Sequence, residues 1–243
     1  MRVYDMIVEE RGQLAELLAG LSPEQLATPS LCGAWTVHEV AAHLATYLRL
    51  GQLKIYACML AGAGDFGPGN ERLARWYARR PSADLVDTLR RHAGARTTVP
   101  RSGYDPVLTD LVLHDYDVRI PLGLPRTVDE ERLAVAFHHL ATVPSAGFAV
   151  GGRLTALRFE AVDTGWSGGD GEPVRGSARD LVLAMSGRPA GLAGLTGDGV
   201  PLLAARLDAD RTIPVGQRLR KMVRTLTRPS ERRFRDTEAP QRP

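Results

Sequence analysis

The chain has little cysteine, almost no lysine and no long apolar run. Its two cysteines, Cys32 and Cys58, are too few for a disulfide framework. No stretch of about eighteen apolar residues occurs, so no transmembrane helix is expected. Asp5, Glu9 and Glu10 bring acids too early for a secretory signal. Together these absences point to a cytoplasmic location. Lys54 and Lys221 are the only lysines among 31 basic residues, which with abundant alanine and glycine suggests a high-GC organism.

The content of 44% apolar and 24% charged residues is that of a globular domain. A length of 243 residues allows one large domain or two modest ones. The net charge of +3 is unevenly spread. From Asp208 onward there are ten basic residues against five acidic ones, so the body before it is near neutral. That tail lacks aromatic interleaving and any nucleic-acid motif, and it reads as a solvated, partly disordered segment. No nucleic-acid or membrane partner is expected.

The first 145 residues read as a helical bundle. Helices are expected over Val3–Leu18, from Ser22-Pro23-Glu24, from Thr36 to about Leu60, over Ser82–Arg96 and over Pro106–Ile120. A further helix should start from a Thr127/Glu130 capping box and reach Leu140. The glycine-rich stretch from Ala61 to Gly69 reads as a loop. Residues 150–207 read as a small α+β domain, with a strand over Leu154–Val162, a glycine turn over Gly165–Gly171 and a helix capped by Ser177. Residues 208–243 form the basic tail, with one amphipathic stretch around Val215–Leu226.

Two segments carry candidate chemistry. Thr36 and Glu39 form a capping box, and Val40, Leu44, Tyr47 and Leu48 then mark a buried stripe that His43 shares. In the second segment Val107, Asp110, Leu111, His114, Asp117 and Val118 share a face. Asp110 and His114 are one helical turn apart, so one helix offers a carboxylate oxygen and an imidazole nitrogen to a single ion. A third ligand fits His43, and histidine with carboxylate suits zinc or another first-row divalent metal. Against this stand the bland alternatives of two hydrogen-bonded core histidines and an ordinary helix pair. Spacing alone leaves both open.

With these residues in place, the chain resembles the mycothiol-dependent maleylpyruvate isomerase family, within the DinB-like superfamily of metal-binding four-helix bundles. The resemblance lies in Gly33-Ala34-Trp35-Thr36-Val37 leading to Ala42-His43-Leu44, and in the run from Asp110 to Gly123. Leu157–Asp163 and Leu181–Arg188 are similar to the family's C-terminal domain. It implies a mostly α fold, a DinB-like four-helix bundle followed by a small α+β domain. By resemblance His43, Asp110 and His114 are the metal ligands, although the family's best-known isomerase has glutamate where Asp110 stands. Asp117 would orient His114 from behind.

The resemblance also implies a divalent metal, zinc first, and mycothiol as cofactors. A small-molecule substrate and a low-molecular-weight thiol would be the partners of a monomer or homodimer. The implied chemistry is addition of a thiolate to an unsaturated substrate, with rotation and elimination, or transfer of the thiol in an S-transferase of detoxification or natural-product tailoring. The nucleophile is then the cofactor's sulfur, and no catalytic side chain beyond the metal ligands is called for. A non-catalytic bundle used for binding is the alternative from another class.

Overall fold

The structure is a computed structural model describing residues 2–33, 35–61, 66–99, 103–125, 128–142 and 154–212, with backbone only for 51–61, 66–68 and 210–212. The helices are α1 (Val3–Ala19), α2 (Pro23–Leu26), α3 (Val37–Ala61), α4 (Phe66–Tyr77), α5 (Ser82–Arg91), α6 (Asp105–Arg119) and α7 (Glu130–Thr142). A three-stranded sheet follows, β1 (Leu157–Ala161), β2 (Ser167–Gly169) and β3 (Glu172–Gly176), then α8 (Ala178–Met185), a 3-10 turn over Pro189–Gly194 and α9 (Val200–Thr212). The fold is mostly helical with a small α+β portion, and residues 1–212 make one compact unit. No helix among the described residues is long and apolar enough to cross a membrane.

Local chemistry explains three of the helix starts. Ser22 and Gln25 exchange both bonds of a capping box, with Pro23 in the first turn of α2. The Thr36 backbone N–H donates to Glu39 Oε2 at 2.8 Å, and the Glu39 N–H donates to Thr36 Oγ1 at 3.2 Å, which fixes the entry to α3. Ser177 Oγ accepts from the Asp180 N–H at the start of α8. The loop before α3 is pinned as well. Leu31 N–H donates to the Asp117 carbonyl, the Val37 N–H to the Thr28 carbonyl, and Ser30 donates twice to the Trp35 carbonyl. Gly33, at φ 60, turns the chain between Cys32 and Trp35.

The core runs through the bundle. Leu14 of α1, Leu85 and Leu89 of α5, and Leu108 and Leu113 of α6 are fully enclosed. Helix α6 is more central than a one-face stripe implies, since Leu111 to Val118 are all buried. Helices α1, α3 and α7 all pack on it. Helix α7 in turn packs on α8 and β2, with the Phe137 and Trp166 ring centroids 6.0 Å apart. In the sheet β1 is central, antiparallel to β2 and parallel to β3. Its Leu157, Phe159 and Ala161 face the core.

Several sequence-based bounds need correction. The expected loop over Ala61–Gly69 is in part helix, because α4 starts at Phe66 despite Gly67, Pro68 and Gly69. Proline there falls in the first turn, where its missing N–H costs no helical bond. The helix expected to run from Ser82 to Arg96 stops at Arg91. Beyond it the buried Arg11 guanidinium takes the Ala93 and Ala95 carbonyls at 2.8 and 2.7 Å, and this draws the chain away from the helix axis. The strand expected over Leu154–Val162 keeps only its middle. Ala156 has φ 59, which breaks an extended run. The glycine turn over Gly165–Gly171 contains β2, and neither β3 nor α9 was foreseen. Thr127 of the expected capping box, the boundary at 145–150 and the tail beyond 212 lie outside the described residues.

Candidate metal centre

His43 lies two turns into α3 and His114 in the middle of α6, both almost fully buried. The packing of α3 on α6 brings their rings to 4.7 Å between centroids, at 65°. Asp110, one turn before His114, projects between them. His43 Nε2 lies 3.4 Å from Asp110 Oδ2, and His114 Nε2 lies 3.3 Å from Asp110 Oδ1. One ligand atom from each of His43, Asp110 and His114 falls within 4.8 Å of the others. The Asp110 side chain is 35% exposed, so the cluster is reached from solvent on its side. Trp35 closes another side, its ring 5.0 Å from that of His43 and 6.2 Å from that of His114.

These distances suit a shared ion better than direct hydrogen bonds. A charge-assisted N–H···O bond is usually 2.7–2.9 Å long. Two donor atoms on one tetrahedral zinc, each at ~2.0–2.1 Å, lie about 3.3–3.4 Å apart. His43 Nε2 is also a buried nitrogen without a hydrogen-bond partner. The donor set fits a divalent first-row metal.

The opposite edge of His114 is tightly held. Its Nδ1 lies 2.9 Å from Asp117 Oδ2. Asp117 is fully enclosed, and Arg188 grips both of its oxygens, Nη2 to Oδ2 at 2.8 Å and Nε to Oδ1 at 3.1 Å. Arg188 also donates to the Ser186 carbonyl, and its Nη2 lies 3.9 Å from Cys32 Sγ. Burial works against charge on Asp117, but Arg188 and His114 outweigh it and hold the carboxyl below its usual range. For Asp110 the charges of His114 and His43 likewise overcome burial and keep it ionised. Burial alone would lower the His114 pKa, yet Asp110 and Asp117 push it up to about 10 in the metal-free site. The Cys32 thiol is pushed up, chiefly by its own burial.

The structure thus brings His43, Asp110 and His114 together and places Asp117 behind His114. It leaves Cys58 among the residues described by backbone alone. Three contributors went unread in the sequence. Trp35 and Arg188 both sat inside recognised segments, but nothing in their spacing gave them a place at the site. Asn70, whose Oδ1 lies 3.1 Å from His43 Nδ1, was hidden in a stretch that reads as loop.

Two buried histidines and one half-buried carboxylate in a helical bundle define a class of candidate metalloprotein. Residues 7–106 match the family model described as the mycothiol maleylpyruvate isomerase N-terminal domain. That match covers the N-terminal part of the chain, α1 to the start of α6, and makes this part similar to the N-terminal domain of that family. A crystal structure of the mycothiol-dependent maleylpyruvate isomerase shares the fold at 16% identity and a TM-score of 0.51, covering 82% of this chain and 95% of that one. A crystal structure of a histidine-to-alanine mutant of that isomerase is similar at 17% identity and a TM-score of 0.50, with the same coverage. No curated protein matches the chain.

Proposed function

We propose that this chain is a metal- and thiol-dependent enzyme that isomerises a small unsaturated acid of the maleylpyruvate type, with a mycothiol-type cofactor. His43, Asp110 and His114 would hold the metal. The observation that carries this is the buried, unpartnered His43 Nε2 facing a carboxylate that also faces His114 Nε2. Aspartate is one methylene shorter than glutamate, but here one oxygen already points to each imidazole.

A divalent ion held by His43, Asp110 and His114 would supply acidity toward a thiol, favouring its deprotonated, nucleophilic form. The chain's own residues prepare that site. Asp117 accepts from His114 Nδ1 and so leaves Nε2 free to ligate. Arg188 fixes Asp117 and neutralises it, so no bare charge is buried behind the site. Trp35 covers the two imidazoles with an apolar face, while Asp110 leaves one side open to solvent. Residues 1–145 would supply the ligands, and 150–207 would supply the supporting arginine.

The test is a thiol screen on the metal-loaded full chain, with maleylpyruvate and related unsaturated acids as substrates. Metal- and thiol-dependent isomerisation that disappears in His43→Ala supports the proposal. A conjugate that accumulates while thiol is consumed would make the protein an S-transferase instead. Metal binding without turnover of any thiol and acceptor pair would favour a non-catalytic bundle.

A further inference from the structure

We infer that Asn70 is a positioning residue for the candidate metal site, holding His43 in the tautomer whose Nε2 is bare. The inference rests on the metal reading above and extends it to a helix that contributes no ligand. Asn70 Oδ1 lies 3.1 Å from His43 Nδ1, and the Tyr47 hydroxyl donates to the same oxygen at 3.4 Å. An amide oxygen only accepts, so His43 Nδ1 carries the proton. A ring with a single proton then carries its lone pair on Nε2, the nitrogen that faces Asp110 and has no hydrogen-bond partner.

The placement of Asn70 is built in from both helices. Glu39, His43 and Tyr47 follow one another at four-residue intervals on α3, so they share one face. Helix α4 meets that face. Arg75 Nε lies 3.5 Å from Glu39 Oε1, and its Nη2 lies 2.8 Å from Glu71. Glu39 is also the residue that caps α3. The start of α3, the docking of α4 and the tautomer of His43 are therefore linked through one polar seam. The two imidazoles are held differently. His114 is backed by a carboxylate that an arginine neutralises, whereas His43 is backed by an uncharged amide that orients the ring without adding charge to the pocket.

The experiment uses the metal-free full chain and zinc ion alone. Zinc affinity is measured by chelator competition, alongside the melting temperature of each metal-free variant. Asn70→Ala should weaken zinc binding by about 10–100-fold, with the metal-free melting temperature little changed. Asn70→Asp keeps an acceptor oxygen and should restore most of the affinity. Long-range proton–nitrogen NMR of the metal-free parent should show His43 protonated at Nδ1. The inference is overturned if Asn70→Ala binds zinc as well as the parent, if Asn70→Asp is as weak as Asn70→Ala, or if His43 is protonated at Nε2 instead. The variant His43→Ala separates the two levels. Loss of zinc in His43→Ala with full retention in Asn70→Ala removes only the role of Asn70, whereas zinc held equally by His43→Ala removes the metal reading and this inference together.

Discussion

Among the described residues, two arginines are buried against carboxylates, and they end in different places. Arg132 at the start of α7 meets Glu10 of α1 at 2.9 Å, with Glu9 and Asp129 also around its guanidinium. Its charge is answered by residues that only join α1 to α7. Arg188, after α8, meets Asp117 of α6, and that carboxylate is shared with His114. The first cluster is a clasp between helices. The second has one further bond to give, and it goes to an imidazole whose other nitrogen faces the candidate metal position.

The largest expected effect comes from breaking each pair on one side. Arg188→Met leaves Asp117 charged, enclosed and without its guanidinium, which should cost about 3–5 kcal/mol in the denaturant unfolding of the metal-free protein. Arg132→Met strands the equally enclosed Glu10 and should cost a similar amount, although Glu9 and Asp129 are over half exposed and return to water. Double replacements separate the two clusters further. Arg188→Met with Asp117→Leu should regain much of the stability but not the metal affinity. Arg132→Met with Glu10→Leu should leave metal affinity unchanged throughout. Equal metal losses in the two double variants would erase the distinction.

A milder break is Asp117→Asn, which keeps the shape and removes the charge. Zinc affinity should fall by about 10–100-fold, since the carboxylate no longer raises the basicity of His114. Asp110→Asn should cost more, as it alters a proposed ligand. Equal losses for the two would remove the division between ligand and support.

A separate effect is on pH dependence. In the metal-free protein His114 is pushed up to about 10 from an ordinary value near 6.5, while Asp110 and Asp117 are pushed down. The raised histidine adds stability below its unfolded pKa, and this is lost as pH rises from about 6.5 through 10. The lowered carboxyls add stability above about pH 3.9, lost as pH falls further. Metal-free stability should therefore be greatest between about pH 4 and 6.5 and decline on the alkaline side. His114→Gln should flatten that decline. A parent curve already flat from pH 6.5 to 10 would contradict the charge arrangement at the site.

The same contrast shows how far the sequence could be read. His43, Asp110, His114 and Asp117 were visible because helical periodicity links neighbours along one helix, and a capping box dates the start of α3. Arg188 lies 71 residues beyond Asp117, across a change from helix to sheet, and no periodicity links such positions. Asn70 was lost because Gly67, Pro68 and Gly69 signal a break, although a first helical turn tolerates all three. The three-stranded sheet was half visible. β1 alternates in the sequence, but β2 is Ser-Gly-Gly and takes its place from pairing with β1, not from strand propensity.

His43, Asp110 and His114 together are expected to hold one divalent metal. Elemental analysis of the purified full chain after zinc loading and desalting tests it most directly. About one equivalent should be retained by the parent and by Arg132→Met, and His43→Ala and His114→Ala should fall to background, because two protein ligands hold a divalent ion poorly. A parent that retains no metal, or a His43→Ala variant that retains as much as the parent, would contradict it.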